Sequence, residues 1–338
     1  MAVEALWGDD IDMVTGQAVT VERMQNPMPP GPGMIDSAPD GFRSGFVALI
    51  GRPNVGKSTL LNQLVGEKVA ITSPVPQTTR NRLRAILTTP AAQLVLLDTP
   101  GIHKPHHLLG ERLVKSARGA IGEVDLVLLL VDGSEPAGRG DAFIVQLLQH
   151  GRAPVLVARN KQDLVDPAAA VSLQNSYADL LEEHGLNAAQ IDCSASTGAG
   201  CLELVDALAA QLPLGPYLYP SDTVSDQPEQ LLLAELIREQ VLTHTREEVP
   251  HSVAVQVERI VEDGKRTAVL ATVLVERSSQ KGILIGKGGS MLKEIGTGAR
   301  HQMEKVFDGP VYLELFVKVV PNWRRSASRL AELGYSGD

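Results

Sequence analysis

Between residues 45 and 212, short continuous apolar runs alternate with stretches whose apolar residues recur at helical spacing. The runs 46–50, 83–87, 94–97, 126–131, 154–158 and 190–193 read as strands. Uninterrupted Val, Leu and Ile over four to six positions suits a strand covered on both faces. Residues 57–64, 108–122, 141–149, 168–183 and 202–212 read as helices. This alternation predicts an α/β domain over 43–212, with a mostly parallel sheet, helices on both faces and a ligand at the carboxyl ends of the strands.

The pattern changes after residues 213–228, whose Pro, Ser and Asp content reads as a linker. Residues 229–247 are helical in spacing, with Ser225, Asp226 and Pro228 as a start signal. Two β-rich segments, 253–260 and 267–275, are joined through Glu262-Asp263-Gly264-Lys265, a hairpin signal. Residues 291–307 are helical but interrupted at Gly296-Thr297-Gly298, which predicts two helices, and 311–319 forms a last strand. The order α-β-β-α-α-β describes a smaller α+β domain over 229–338.

Composition adds limits. A chain of 338 residues exceeds one ordinary domain, and 43% apolar residues suffice for buried cores. The net charge of −9 argues against a surface that coats nucleic acid or anionic membrane as a whole, while leaving room for a local basic site. Much of that charge lies in residues 1–42, where seven acids up to Asp40 face the single base Arg23. Pro27, Pro29, Pro30, Pro32 and Pro39 oppose regular structure there, so this stretch is expected to be a disordered extension. Cys193 and Cys201 lack metal-ligand spacing and read as reduced packing thiols of a cytoplasmic protein. The apolar runs are too short to span a bilayer, and no secretory signal is expected at the start.

The chemistry begins after the first strand. Gly51-Arg52-Pro53-Asn54-Val55-Gly56-Lys57-Ser58 has the form G-x-x-x-x-G-K-S between a strand and a helix. In that setting backbone N–H groups turn inward around phosphate oxygens, the lysine reaches the β- and γ-phosphates, and the serine hydroxyl can ligate Mg²⁺. Asp98-Thr99-Pro100-Gly101 closes another strand, where Asp98 can hold Mg²⁺ and the Gly101 N–H can reach a γ-phosphate. Asn160-Lys161-Gln162-Asp163 follows a third strand. The Asp163 carboxylate can accept from N1–H and the 2-amino group of guanine, two donors that adenine lacks. Asn160 can support the base and its loop, Lys161 can cover the ring, and Ser194-Ala195-Ser196 is placed to offer backbone N–H to guanine O6. Together the four stretches point to GTP.

These stretches, with Gln77-Thr78-Thr79-Arg80 and the Ile102-His103 that follow Gly101, resemble the translation-factor class of P-loop GTPases and the Era family in particular. The resemblance runs from residue 45 to the C-terminus. It implies that Gln77, Thr78, Thr79 and Arg80 form a switch segment whose Thr79 (Thr78 as the alternative) joins Ser58 and Asp98 around Mg²⁺. It also implies a role for Asn54 in holding K⁺ near the phosphates. Where many small GTPases carry a glutamine to orient the attacking water, this chain has Ile102, so slow intrinsic hydrolysis is expected.

In the smaller domain, Ile283, Ile285 and Gly286-Lys287-Gly288-Gly289 form a G-x-x-G loop between an apolar segment and a helix. Residues 277–300 hold Arg277, Lys281, Lys287, Lys293 and Arg300 against Glu294, a basic cluster in an acidic chain. The loop and the element order look like a type II KH domain, whose loop clamps a nucleic-acid backbone. Arg324 and Arg325 beside Trp323 either extend that surface or pack. The resemblance implies binding to the 3′ end of 16S rRNA, a role in 30S subunit assembly, a monomer, and peripheral association with the inner face of the cell membrane. The competing class is a signalling or scaffold GTPase whose second domain binds protein.

Overall fold

A computed structural model describes residues 37–73, 83–99, 101, 121–149 and 151–333. Residues 1–36 of the expected N-terminal extension, the switch residues Gln77, Thr78, Thr79 and Arg80, and Pro100 and Ile102 lie outside the described residues, as does most of the helix expected at 108–122. The end of the extension is ordered rather than disordered, because Phe42 is buried and packs its ring on Tyr217. The described residues divide into two compact units, 37–227 together with 330–333, and Pro228–Arg329.

The first unit is built on a six-stranded sheet of order β2-β3-β1-β4-β5-β6. Its strands are β1 (Arg43–Ile50), β2 (Leu83–Thr88), β3 (Ala92–Asp98), β4 (Leu126–Asp132), β5 (Val155–Asn160) and β6 (Ala189–Asp192). Only the β2–β3 pair is antiparallel. All seven residues of β4 are buried, which explains its unbroken apolar run. Side chains alternate between faces. Val47, Leu49, Leu128 and Leu130 meet helices α1 (Lys57–Val65) and α4 (Cys201–Gln211). Ala48, Ile50, Val127 and Leu129 meet α2 (Arg139–Leu148) and α3 (Ala170–Glu183). The chain leaves β1 toward β3 and then crosses back to β4, so β1 flanks the point where the winding reverses, the usual place for a ligand crevice.

Residues 213–227, linker-like in composition, are fastened to this sheet. Ser44 N donates to Pro213 O at 3.1 Å and Ile86 N to Val224 O at 2.9 Å. The buried Gln93 side chain accepts from Leu218 N (2.7 Å) and Tyr219 N (2.9 Å) and donates to Tyr219 O (3.0 Å). Arg84 pairs with Asp226 at 2.9 Å. Composition alone hides this, because the partners lie more than a hundred residues upstream.

The second unit has a three-stranded sheet, β7 (Ala254–Glu262), β8 (Thr267–Val275) and β9 (Val311–Val319). β7 and β8 form the expected antiparallel hairpin, and β9 runs parallel to β8. Helices α5 (Glu229–His244), α7 (Ser278–Ile285) and α8 (Ser290–Val306) pack on it, with the short α6 (Val249–Ser252) ahead of β7. The expected break at Gly296-Thr297-Gly298 does not occur, and α8 continues through it. Two interior glycines cost about 1 kcal/mol each. Burial of Ile295, Ala299 and Met303 along one stripe outweighs this. At Gly298 the Gln240 side chain of α5 occupies the space of a Cβ. The second helix of the motif is instead α7, which the sequence shows as an apolar segment. Trp323 is buried and donates Nε1–H to Ser252 O at 3.1 Å, so it packs, and Arg324 pairs with Glu276. Among the described residues, no helix is long and apolar enough to cross a membrane.

Candidate functional site

Residues 51–56 link the end of β1 to the start of α1, at the carboxyl edge of the sheet. The loop turns through left-handed backbone at Asn54 (φ 65°) and Gly56 (φ 98°). Lys57, the first helical residue, is buried and donates Nζ–H to Gly51 O at 3.2 Å and Arg52 O at 2.9 Å. Burial pushes its pKa down to about 8, against the opposing pull of the Asp98 charge. Ser58 Oγ lies 3.2 Å from Asp98 Oδ2, which joins the first helical turn to the end of β3. Thr99 donates its hydroxyl to Leu49 O at 2.8 Å, pinning the turn after β3 onto β1. Pro53, Asn54, Lys57, Ser58, Gly101 and Thr72 line one small cavity. Ser58 lines this cavity and its hydroxyl bonds the buried Asp98 carboxylate behind it. Such a pair of hard oxygen donors fits Mg²⁺, which takes few protein ligands and completes its shell with water and phosphate.

The third and fourth stretches converge from the other side. Asn160 ends β5 and is buried. Its Nδ2 donates to Val55 O at 2.8 Å, while its Oδ1 accepts from Ala195 N at 2.8 Å. One side chain therefore tethers the phosphate loop to the Ser194-Ala195-Ser196 loop. Of the Ser194-Ala195-Ser196 loop expected to offer backbone N–H to guanine O6, the Ala195 N–H donates to Asn160 Oδ1. Asp163 is exposed at the mouth and accepts from Ser194 Oγ at 2.6 Å. The Ser194 hydroxyl, with lesser help from Ser196, holds the Asp163 carboxyl below the usual range, so it stays ionised. Gln162 is held by its backbone, N–H to Cys193 O at 3.2 Å. Lys161 adopts φ 65° and places Nζ 2.6 Å from Asp132 Oδ2.

Several contributors were not singled out from sequence. Asp132, at the end of β4, binds Lys161 and, through Oδ1, Ser134. Asn62 in α1 accepts from Val69 N (3.0 Å) and Ala70 N (2.9 Å), fixing the chain that leads to Thr72 and Ser73 beside the cavity. A polar residue closing an apolar strand was the available signal for Asp132, and Asn62 offered none. A larger cleft of about 740 Å³ opens at the amino ends of β4 and β5, beside Phe143 and Leu147. It lies at the opposite end of the strands from these groups, and apolar residues dominate its lining.

In the second unit, α7 ends at Ile285, and Gly286-Lys287-Gly288-Gly289 turns the chain into α8. Lys287, Gly288 and Lys293 are exposed, Lys281 and Ile285 half-buried, and Ile283 keeps 51% of its surface in water while its neighbour Leu284 is buried. The loop thus presents a cation and an apolar side chain on one turn. Arg300 is placed differently, with its guanidinium 2.8 Å from Glu304 one helical turn on.

Comparison with known proteins matches residues 46–161 to the family described as 50S ribosome-binding GTPase and residues 248–324 to the KH domain. The chain is 59% identical to GTPase Era of Synechocystis sp. over 301 residues, covering 89% of this chain and 95% of that protein. It is 50% identical to GTPase Era of Heliobacterium modesticaldum, covering 87% and 97%. Among solved structures, Era in complex with MgGDPNP and nucleotides 1506–1542 of 16S ribosomal RNA superimposes with a TM-score of 0.82 at 39% identity, covering 87% of this chain and 99% of that one. A single-residue variant of Aquifex aeolicus Era bound to GDP.AlF4- superimposes with a TM-score of 0.81 at 39% identity, covering 87% and 100%. The gathering of residues 51–58, 98–99, 101, 160–163 and 194–196 at one sheet edge, followed by a KH fold and matched along nearly the whole of these relatives, places the chain in the Era family of GTPases.

Proposed function

We propose that this GTPase is an RNA-binding switch in 16S rRNA processing and 30S subunit assembly, cytoplasmic and monomeric, with peripheral contact to the inner face of the cell membrane. The observation that carries the reading is the likeness to Era in complex with MgGDPNP and a 16S rRNA fragment. In this reading Lys57 and the N–H groups of residues 51–58 hold the phosphates, and Asp163 reads the guanine edge. Ser58, Asp98 and Thr79 would hold Mg²⁺, which would supply positive charge beside the phosphates. Ile102 cannot hydrogen-bond water, so hydrolysis relies on backbone, cation or partner and is slow. Asn54 would hold K⁺, which would supply positive charge near the phosphates. Turnover is then higher in potassium than in sodium buffer at equal ionic strength, and equal rates would remove Asn54 from this role.

RNA enters at residues 286–289, where Lys287 meets phosphate, Lys281, Lys293 and Arg300 add positive charge, and Ile283 and Ile285 receive unstacked bases. GTP shifts the protein toward an RNA-binding state only through different affinities for its two states. Binding of an RNA fragment from the 3′ end of 16S rRNA is therefore expected to be tighter with a GTP analogue than with GDP. The double substitution Lys287→Asp, Gly288→Asp should weaken it by on the order of tenfold or more and leave GTP turnover intact. Unchanged RNA binding in that variant favours the protein-scaffold alternative; equal affinity in both nucleotide states removes the switch but not the GTPase.

A further inference from the structure

We propose that Asp141 is a positioning residue for nucleotide binding, acting through Arg52 to hold the phosphate loop against the first turn of α2. The proposal rests on reading residues 51–58 as the phosphate cradle.

Arg52 is a cation inside a phosphate-binding loop, and its own phosphate contact would be the simple expectation. The structure directs its side chain elsewhere. Arg52 Nε donates to Asp141 Oδ1 at 2.8 Å, and the Asp141 side chain is 1% exposed. The stem reaches it through a slot at Gly140, where a Cβ would stand 2.5 Å from Arg52 Cδ. Glu135, 4.0 Å away and largely exposed, adds charge at the rim. The second Asp141 oxygen accepts Gly138 N–H at 2.9 Å and so caps α2. A buried carboxylate is tolerated only when its oxygens are engaged, and here one is engaged by the helix and the other by the loop.

The arrangement reaches the chemistry through one residue. The Arg52 carbonyl accepts from Lys57 Nζ at 2.9 Å. Fixing the Arg52 side chain fixes the backbone that orients the phosphate-binding lysine. The same segment also holds the base loop, because Asp132 binds Lys161 at 2.6 Å and its carbonyl accepts Tyr177 OH at 2.8 Å. Residues 132–141 are thus a strut between the two halves of the nucleotide site.

The test measures the affinity of a fluorescent GDP analogue, with thermal unfolding alongside, for Asp141→Asn, Arg52→Ala, Arg52→Lys and the Arg52→Ala/Asp141→Asn pair. Asparagine keeps an acceptor for Gly138 N–H, so the α2 cap survives. Asp141→Asn and Arg52→Ala should each weaken GDP binding on the order of tenfold, the cost of a displaced loop. The double variant should lose no more than the worse single one, since both cut the same link. Arg52→Lys should recover part of the loss at an unchanged unfolding temperature. Gly140→Ala, which closes the slot and spares both partners, should weaken binding too if the others fold poorly. Unchanged affinity in Arg52→Ala, or losses that multiply in the double variant, would overturn the proposal. Lys57→Ala should abolish binding in the same assay; retained binding there would overturn the cradle reading and this proposal with it.

Discussion

Replacing Asp163 by asparagine should lower GTP affinity by roughly 10²–10⁴-fold and give the protein a preference for xanthosine triphosphate. The carboxylate is positioned by Ser194 Oγ at 2.6 Å and stays ionised because that hydroxyl favours the charged form. Two hydrogen bonds from guanine to a charged acceptor are worth about 1.5–3 kcal/mol each, and tenfold in affinity is about 1.4 kcal/mol. Asparagine keeps one acceptor for N1–H but turns a donor toward the 2-amino group. Xanthine carries a carbonyl there and restores the pair. The depressed pKa fixes the pH dependence as well. The ionised form persists as pH falls through the ordinary carboxylate range, and guanine binding is lost only below it. Asp163 is exposed, so the unfolding temperature should not move. Competition between GTP and XTP measures the effect, and an unaltered guanine preference would remove Asp163 from base reading.

Asn160→Ala should act on both stability and binding. The buried Asn160 amide satisfies Val55 O and Ala195 N, and truncation leaves a buried acceptor and a buried donor without their partner. Each such group costs about 1–3 kcal/mol. A total near 3 kcal/mol corresponds to a fall in Tm of about 6–12 °C for a domain of this size. GTP affinity should fall with it, because the phosphate loop and the loop at 194–196 lose their common anchor. Calorimetry with parallel nucleotide titration checks this. An unchanged Tm with unchanged affinity would show that the tether is dispensable.

The contrast between these residues shows what was legible in the sequence. The strands of the first unit were readable because a parallel sheet covered on both faces forces unbroken apolar runs, as in β4. Asp163 and Asn160 were readable because they follow such a run at fixed spacing. Asp141 was not, since its partner Arg52 lies 89 positions away and helix starts often carry an acid in their first turn. The glycines of α8 misled for a related reason. Local propensity marks Gly296 and Gly298 as a break, whereas in the fold the Gln240 side chain of α5 fills the space beside Gly298. The bond from Ala195 N–H to Asn160 was hidden because its acceptor comes from another strand end.

An open sheet has two edges, and each offers unpaired N–H and C=O groups to any strand that can add to it. Here one edge is β6, with only four residues. The other, β2, has Val224 and Ser225 laid along it, with a bridge between Ala85 and Ser225 and the Ser225 hydroxyl on Arg84 O at 3.0 Å. The segment that leaves the first unit therefore also guards it against edge-to-edge association. The sheet stays open at the carboxyl ends of its strands, where the nucleotide groups gather, while its flanks are short or covered.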